Sequence, residues 1–123
     1  MHIVGTIGMI LSKYVSNVIS VENNKQAVEA AIVNAKTNNI KNVKFILDDA
    51  TNFIVNLAKE RTKIDAIIMD PPRTGSTKEF LNSVVSLNPK KVIYVSCGPD
   101  TLARDLMILT KYYEIKDTIC VDM

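Results

Sequence analysis

Four short apolar runs rich in β-branched residues constrain this chain more than anything else in it: Val18–Glu22, Val43–Leu47, Ile64–Met69 and Val92–Val95. Each is followed by a segment whose apolar residues recur at helical period. Ala27, Val28, Ala31, Ile32 and Ala35 follow the first, and Phe53, Ile54, Leu57 and Ala58 the second. Phe80, Leu81, Val84 and Val85 follow the third, and Leu102, Leu106 and Leu109 the fourth. Near-continuous apolar runs suit strands buried on both faces. Strands alternating with helices of this length make an α/β fold with a doubly wound parallel sheet and right-handed crossovers. The 123 residues make one domain of that kind, large enough to bury a core.

Local signals place the boundaries. Asn23 precedes Gln26, and Ser76 precedes Glu79, by the three residues of a capping box. Asn38-Asn39 and Asn88-Pro89 supply helix stops, and Asp100-Thr101 can start the last helix. Ile115–Val121 reads as a final strand. Gly5-Thr6-Ile7-Gly8, with the apolar segment running to about Tyr14, reads as a glycine-bearing turn and then a helix. The pattern therefore begins on a helix, and the strand that should feed Gly5 is missing from it.

Composition closes off several classes. The net charge of +2 is too small to argue for nucleic acid by itself, so RNA binding would need local placement of Lys90, Lys91 and Arg104 or another segment. Two cysteines without a CxxC or a Cys/His cluster give no ligand set for zinc or an iron–sulfur cluster, so no metal is expected. They also argue against a disulfide framework, and point to a reducing cytoplasm. No apolar run reaches the roughly 20 residues needed to span a bilayer. Met1–Ser12 lacks the basic region and cleavage site of a signal peptide.

The candidate chemistry sits where the runs end. If the runs are parallel strands, those ends share the carboxyl edge, where open α/β sheets bind ligands. Glu22 can accept hydrogen bonds from both hydroxyls of a ribose; a solvated carboxylate at a helix start is an equally good reading of its position alone. The preceding turn with Gly5 and Gly8 favours the ribose role, although G-x-x-G is a weak motif. Asp49 can accept an adenine amine. Together these describe an adenosine pocket, and the lack of G-K-S/T argues against a phosphate-binding loop. Asp70-Pro71-Pro72 fixes a carboxylate rigidly at the crevice, or merely ends a strand. Cys97 stands in Ser96-Cys97-Gly98-Pro99, where backbone amides turn toward a helix. A lone cysteine is more often a small buried hydrophobe, but amides at a helix start favour a thiolate. Cys120 has no such setting and reads as core.

Asp70-Pro71-Pro72-Arg73-Thr74-Gly75, followed by Val95-Ser96-Cys97-Gly98-Pro99-Asp100-Thr101-Leu102-Ala103-Arg104-Asp105, resembles the RNA uracil-C5 methyltransferase family, which modifies 23S ribosomal RNA or the T-loop of tRNA. Gly5-Thr6-Ile7-Gly8, Val21-Glu22 and Asn42-Val43-Lys44-Phe45 through Asp49 align in order and spacing, so the resemblance covers essentially the whole chain. Family members usually have Asn at the position of Gly98.

The resemblance implies a Rossmann-like S-adenosylmethionine-dependent methyltransferase fold. On this reading residues 1–123 are a partial methyltransferase catalytic domain, lacking its first strand and its C-terminal strands. It also implies S-adenosyl-L-methionine as cofactor and methyl transfer to C5 of a uridine in RNA, with 23S rRNA the favoured target. Cys97 would be the nucleophile that adds to uracil C6. Gly5, Thr6, Glu22, Asp49 and Asp70 would contact the cofactor, Asp70 also lying close to the base. Arg73 and Arg104 would meet substrate RNA. In the family a strand and turn precede Gly5, and a segment after Met123 carries the Glu that removes the C5 proton. The missing first strand would lie in mid-sheet, exposing two edges. The slot is expected to be filled by a homo-oligomeric partner, a swapped segment or a repacked Met1–Val4. The alternative from another class is a truncated, catalytically silent fragment acting as a folded binding module. A DPP-type amino-methyltransferase is less favoured, because Arg73 stands where that class has a base-stacking aromatic.

Overall fold

In a computed structural model of the chain the residues described are 2–4, by backbone alone, and 12–120. The elements are β1 (His2–Val4), β2 (Val18–Glu22), α1 (Lys25–Thr37), β3 (Val43–Leu47), α2 (Ala50–Lys59), β4 (Ala66–Met69), α3 (Lys78–Leu87), β5 (Lys91–Tyr94) and α4 (Pro99–Leu109). The five strands form one sheet in the order β3-β2-β1-β4-β5, and every pairing is parallel. This is the doubly wound arrangement expected, with its switch point between β1 and β4.

The chain enters on a strand and not on a helix. His2–Val4 occupies the mid-sheet slot, pairing His2 with Val18 on one side and with Ala66 on the other. Of the three ways of filling that slot, the chain takes the third, its own N-terminal residues. The helix expected up to Tyr14 lies largely outside the described residues, and Ser12–Tyr14 form a turn. Gly5 and Thr6 also lie outside them. At the other end, no strand forms over the described residues 115–120. Cys120 is consequently exposed and not in the core, since no sheet neighbour carries it inward.

The core fills one face of the sheet. Val21 from β2 and Ile67 and Met69 from β4 meet Ile54 and Leu57 of α2, Leu81 and Val84 of α3 and Leu109 of α4. On the opposite face α1 buries Val28 and Ala35, as its helical period requires. Three helix starts fall beside their expected caps. Asn24, one residue beyond Asn23, caps α1 by accepting from Ala27 N at 3.0 Å. Thr77, one residue beyond Ser76, caps α3 through Phe80 N at 3.1 Å. Pro99, with no N–H to satisfy and φ already fixed, opens α4 behind Gly98, with no side-chain cap. Asn38 and Asn88 end α1 and α3 as expected, Asn88 in left-handed backbone at φ 50°.

Candidate active site

The parallel sheet delivers Glu22, Asp49, Asp70 and Cys97 to one edge, because each follows the carboxyl end of its strand. Glu22 closes β2. Its Oε1 accepts from the backbone N–H groups of Asn23 and Asn24, both at 3.1 Å. That fixes the carboxylate's orientation, and Oε2 has no hydrogen-bond partner among the described residues. Asp49 spends one oxygen in the same way: Oδ1 accepts from Asn52 N at 3.0 Å and caps α2. Both carboxylates are thus held by backbone at the edge while keeping acceptor capacity.

Asp70 and Arg73 are exposed, and among the described residues no hydrogen bond or ion pair engages either side chain. Past them the chain folds back through a turn in which Gly75 N donates to Pro72 O at 2.8 Å. Gly75 has φ +80°, a conformation that glycine adopts without penalty.

The ladder between β4 and β5 continues one step beyond the strands, Val95 N donating to Met69 O at 2.8 Å. This sets the turn after β5 beside the turn after β4. Ser96 Oγ both accepts from Gly98 N at 3.1 Å and donates to Gly98 O at 2.9 Å, folding Ser96–Gly98 tightly around Cys97. Cys97 is free and exposed, so the buried-hydrophobe reading does not describe it. Gly98 approaches the other turn: a β-carbon there would lie 3.5 Å from the carbonyl oxygen of Arg73 and 3.2 Å from Thr101 Oγ1. The Asp-Pro-Pro-Arg turn and the cysteine turn are therefore neighbours.

Arg104 is held by the protein itself. Its Nη2 donates to Thr74 O at 2.7 Å and to Ser76 O at 3.2 Å, and its Nε lies 3.3 Å from Asp105 Oδ1. Sequence reasoning missed the group behind it. Asp105 is 1% exposed, and its Oδ2 accepts from Tyr94 OH at 2.5 Å and Ser76 N at 2.8 Å. Burial, and then the adjoining Asp105 carboxylate, hold the Tyr94 phenol well above its ordinary pKa. The signal was present: Asp105 is an acid inside the Leu102, Leu106, Leu109 stripe, where helical spacing calls for an apolar residue.

Among the described residues no cluster of three metal-ligating side chains occurs, and no helix is long and apolar enough to cross a membrane. A groove of about 530 Å³ between α2 and α3, lined by residues such as Val55, Lys59, Glu79 and Asn82, contains none of the candidate residues.

The all-parallel sheet in the order β3-β2-β1-β4-β5, with helices in the crossovers, defines a Rossmann-like α/β domain. Solved structures share it: an rRNA methylase from Streptococcus thermophilus superposes with a TM-score of 0.54 at 15% identity, over 86% of this chain and 68% of that one. The chain matches the tRNA (uracil-5-)-methyltransferase family over residues 3–123, and belongs to it. An RNA methyltransferase of uncharacterised specificity from Caldanaerobacter subterraneus subsp. tengcongensis is 48% identical over 106 residues, covering 86% of this chain and 24% of that protein. One from Lactobacillus johnsonii is 41% identical over 98% of this chain and 27% of its own length. The Pyrococcus abyssi tRNA (uracil-54, C5)-methyltransferase, solved in complex with S-adenosyl-L-homocysteine, superposes with a TM-score of 0.71 at 28% identity, over 87% of this chain and 27% of that one. The chain spans about a quarter of the length of these relatives.

Proposed function

We propose that the chain is the catalytic module of an enzyme that methylates C5 of a uridine in RNA, with S-adenosylmethionine as cofactor. The observation that carries this reading is the exposed Cys97, in a tight turn at the start of α4 and against the Asp70–Arg73 turn. Family membership supplies the reaction class. The two chain-held carboxylates at the ends of β2 and β3 fit the cofactor: Glu22 would hold the ribose hydroxyls and Asp49 the adenine amine. Gly5 and Thr6 would complete that side. When bound, S-adenosylmethionine supplies the electrophilic methyl group.

The chain's own part is to make the pyrimidine nucleophilic. C5 of uracil is a poor nucleophile until a thiolate adds to C6. The Cys97 Sγ electron pair forms the S–C6 bond, and the C5–C6 π pair moves onto C5 and the O4 carbonyl as an enolate. After methylation the C5 proton leaves to a base. The returning electron pair restores the C5–C6 bond and expels the thiolate. Asp70, fixed by two prolines at the neighbouring turn, would orient base and cofactor, and Arg73, whose guanidinium has no ion pair among the described residues, would meet RNA phosphate. The free thiols fit a reducing cytoplasm.

Mass spectrometry with RNA carrying 5-fluorouridine tests this directly, because fluorine cannot leave as the proton does and the adduct is trapped. A covalent adduct on Cys97, lost in Cys97→Ser with cofactor binding retained, is the expected result. Presenting tRNA and rRNA fragments side by side distinguishes the substrates. A chain that binds neither cofactor nor RNA covalently would instead be a silent folded module, and an adduct persisting in the serine variant would place the nucleophile elsewhere.

A further inference from the structure

Asp105 does something the reaction as described does not explain. Its carboxylate is buried in the middle of α4, at a position where leucine would complete the stripe, and a buried charge is retained only with good partners. The partners come from three segments. Tyr94 OH reaches it from the end of β5, and Ser76 N from the loop after β4. Arg104, next to it on α4, meets Oδ1 and passes on to the carbonyl oxygens of Thr74 and Ser76. Tyr94 stands three residues before Cys97, and Thr74 and Ser76 immediately follow the Asp70–Arg73 turn. Each of the two site turns is therefore anchored to one carboxylate.

We infer that Asp105 is a positioning residue: through Tyr94 and Ser76, with Arg104, it sets the Cys97 turn against the Asp70–Arg73 turn and so fixes the thiol relative to the base-binding side of the crevice. The catalytic meaning of this rests on the reading given under Proposed function; the positioning itself does not. Ring burial and the carboxylate keep Tyr94 protonated as the donor. A purely structural Asp105 would be replaceable by apolar residues that restore the stripe, since such replacements of buried polar groups often leave stability unchanged or raise it.

The test uses the double variant Tyr94→Phe/Asp105→Leu, with Asp105→Asn as the milder substitution that leaves an acceptor for Ser76 N. In a Cys120→Ser background a nitroxide on Cys97 broadens nearby amide resonances. In the parent, the amides of Arg73, Thr74 and Gly75 are expected to be strongly broadened. In the double variant that broadening falls selectively, while broadening at α4 and the melting temperature stay close to the parent. In the unlabelled protein the maximal rate of Cys97 adduct formation on 5-fluorouridine RNA should fall about 100-fold, the scale of a misplacement near 1 Å, with cofactor affinity unchanged. Unchanged broadening at Arg73–Gly75 in both variants overturns the proposal. If the double variant does not fold, Asp105→Asn decides by the same broadening measurement. A parent that forms no adduct refutes the methyltransferase reading, while the nitroxide measurement still decides the positioning.

Discussion

Gly75, in left-handed backbone at φ +80°, lies under the guanidinium of Arg104, whose Nη2 occupies the space a β-carbon at that position would take. Nη2 is there because it donates to the carbonyls on either side, those of Thr74 and Ser76. The glycine is therefore required twice, for its backbone conformation and for the room it leaves.

Gly75→Ala should accordingly destabilise the fold by about 2 kcal/mol, combining left-handed strain with displacement of Arg104. Urea denaturation measures this. In an Arg104→Ala background the clash with the guanidinium disappears, leaving the strain and the close approach of Thr101 Cβ and Asp105 Oδ2, so the alanine should cost about 1 kcal/mol less. Equal costs in both backgrounds would show that the guanidinium does not set the requirement.

Alkaline titration should separate Tyr94 from the rest of the chain. Its folded pKa is raised by burial and by Asp105, whereas in the unfolded chain it ionises near the ordinary value of about 10. Its contribution is thus fully present below that pH. As pH climbs from there toward the folded pKa, the unfolded chain has lost a proton that the native one keeps, and stability falls. Tyr113, raised by burial, acts in the same direction. The urea midpoint should drop between about pH 9.5 and 11, and Tyr94→Phe should flatten that drop while leaving the Tyr113 part. A Tyr94→Phe profile as steep as the parent's would contradict the assignment.

Much of this architecture was legible in the chain. Val18–Glu22 and Val43–Leu47 form strands with the expected bounds, the first largely buried inside the sheet and the second a half-exposed edge strand paired along its length with the first. Glu22, Asp49, Asp70 and Cys97 share an edge because parallel topology sends every strand end the same way. Local pattern could not show that three residues, His2–Val4, would complete the sheet, since so short a strand is held only by partners on both sides. Ile115–Cys120 has strand-like residues but pairs with no strand among the described residues, and stays irregular. Asp105 was visible as an acid in an apolar stripe, but Ser76 and Tyr94, which explain it, are distant in sequence and reach it only through the tertiary fold.

The cofactor reading can be tested without touching the fold. Glu22→Gln retains an oxygen for the Asn23 and Asn24 amides but loses the charge that would hold the ribose hydroxyls. Calorimetry with S-adenosylhomocysteine should show affinity weakened by about 10- to 100-fold, the scale of hydrogen bonds to a charged group. The melting temperature should be nearly unchanged. Asp49→Asn likewise preserves the cap on α2, so a loss of affinity in that variant without loss of stability would mark the adenine contact.

Beside the core, one face of β5 stands open, with Ile93 49% and Val95 37% exposed. A bare apolar sheet face promotes association between copies. Ile93→Lys should leave stability within about 0.5 kcal/mol, as exposed substitutions do, while reducing concentration-dependent association in light scattering. A variant that associates as the parent does would exclude this face as the cause.

Cys97 and Cys120 are both free and exposed, which gives the proposed substrate site an internal control. The same alkylating agent should label both in the isolated protein, because neither thiol is shielded by packing. Only Cys97 lies at the carboxyl edge of the sheet. Cys120 sits in the irregular segment after α4. Uridine-containing RNA bound with S-adenosylhomocysteine should therefore slow alkylation of Cys97 by at least about tenfold, the occlusion expected of a base seated over the thiol, and leave Cys120 at its free rate. Peptide mass spectrometry over a time course resolves the two. Protection of both thiols to the same degree would mean that RNA coats the surface without entering the crevice. Protection of Cys120 alone would move the RNA site away from the Asp70–Arg73 turn.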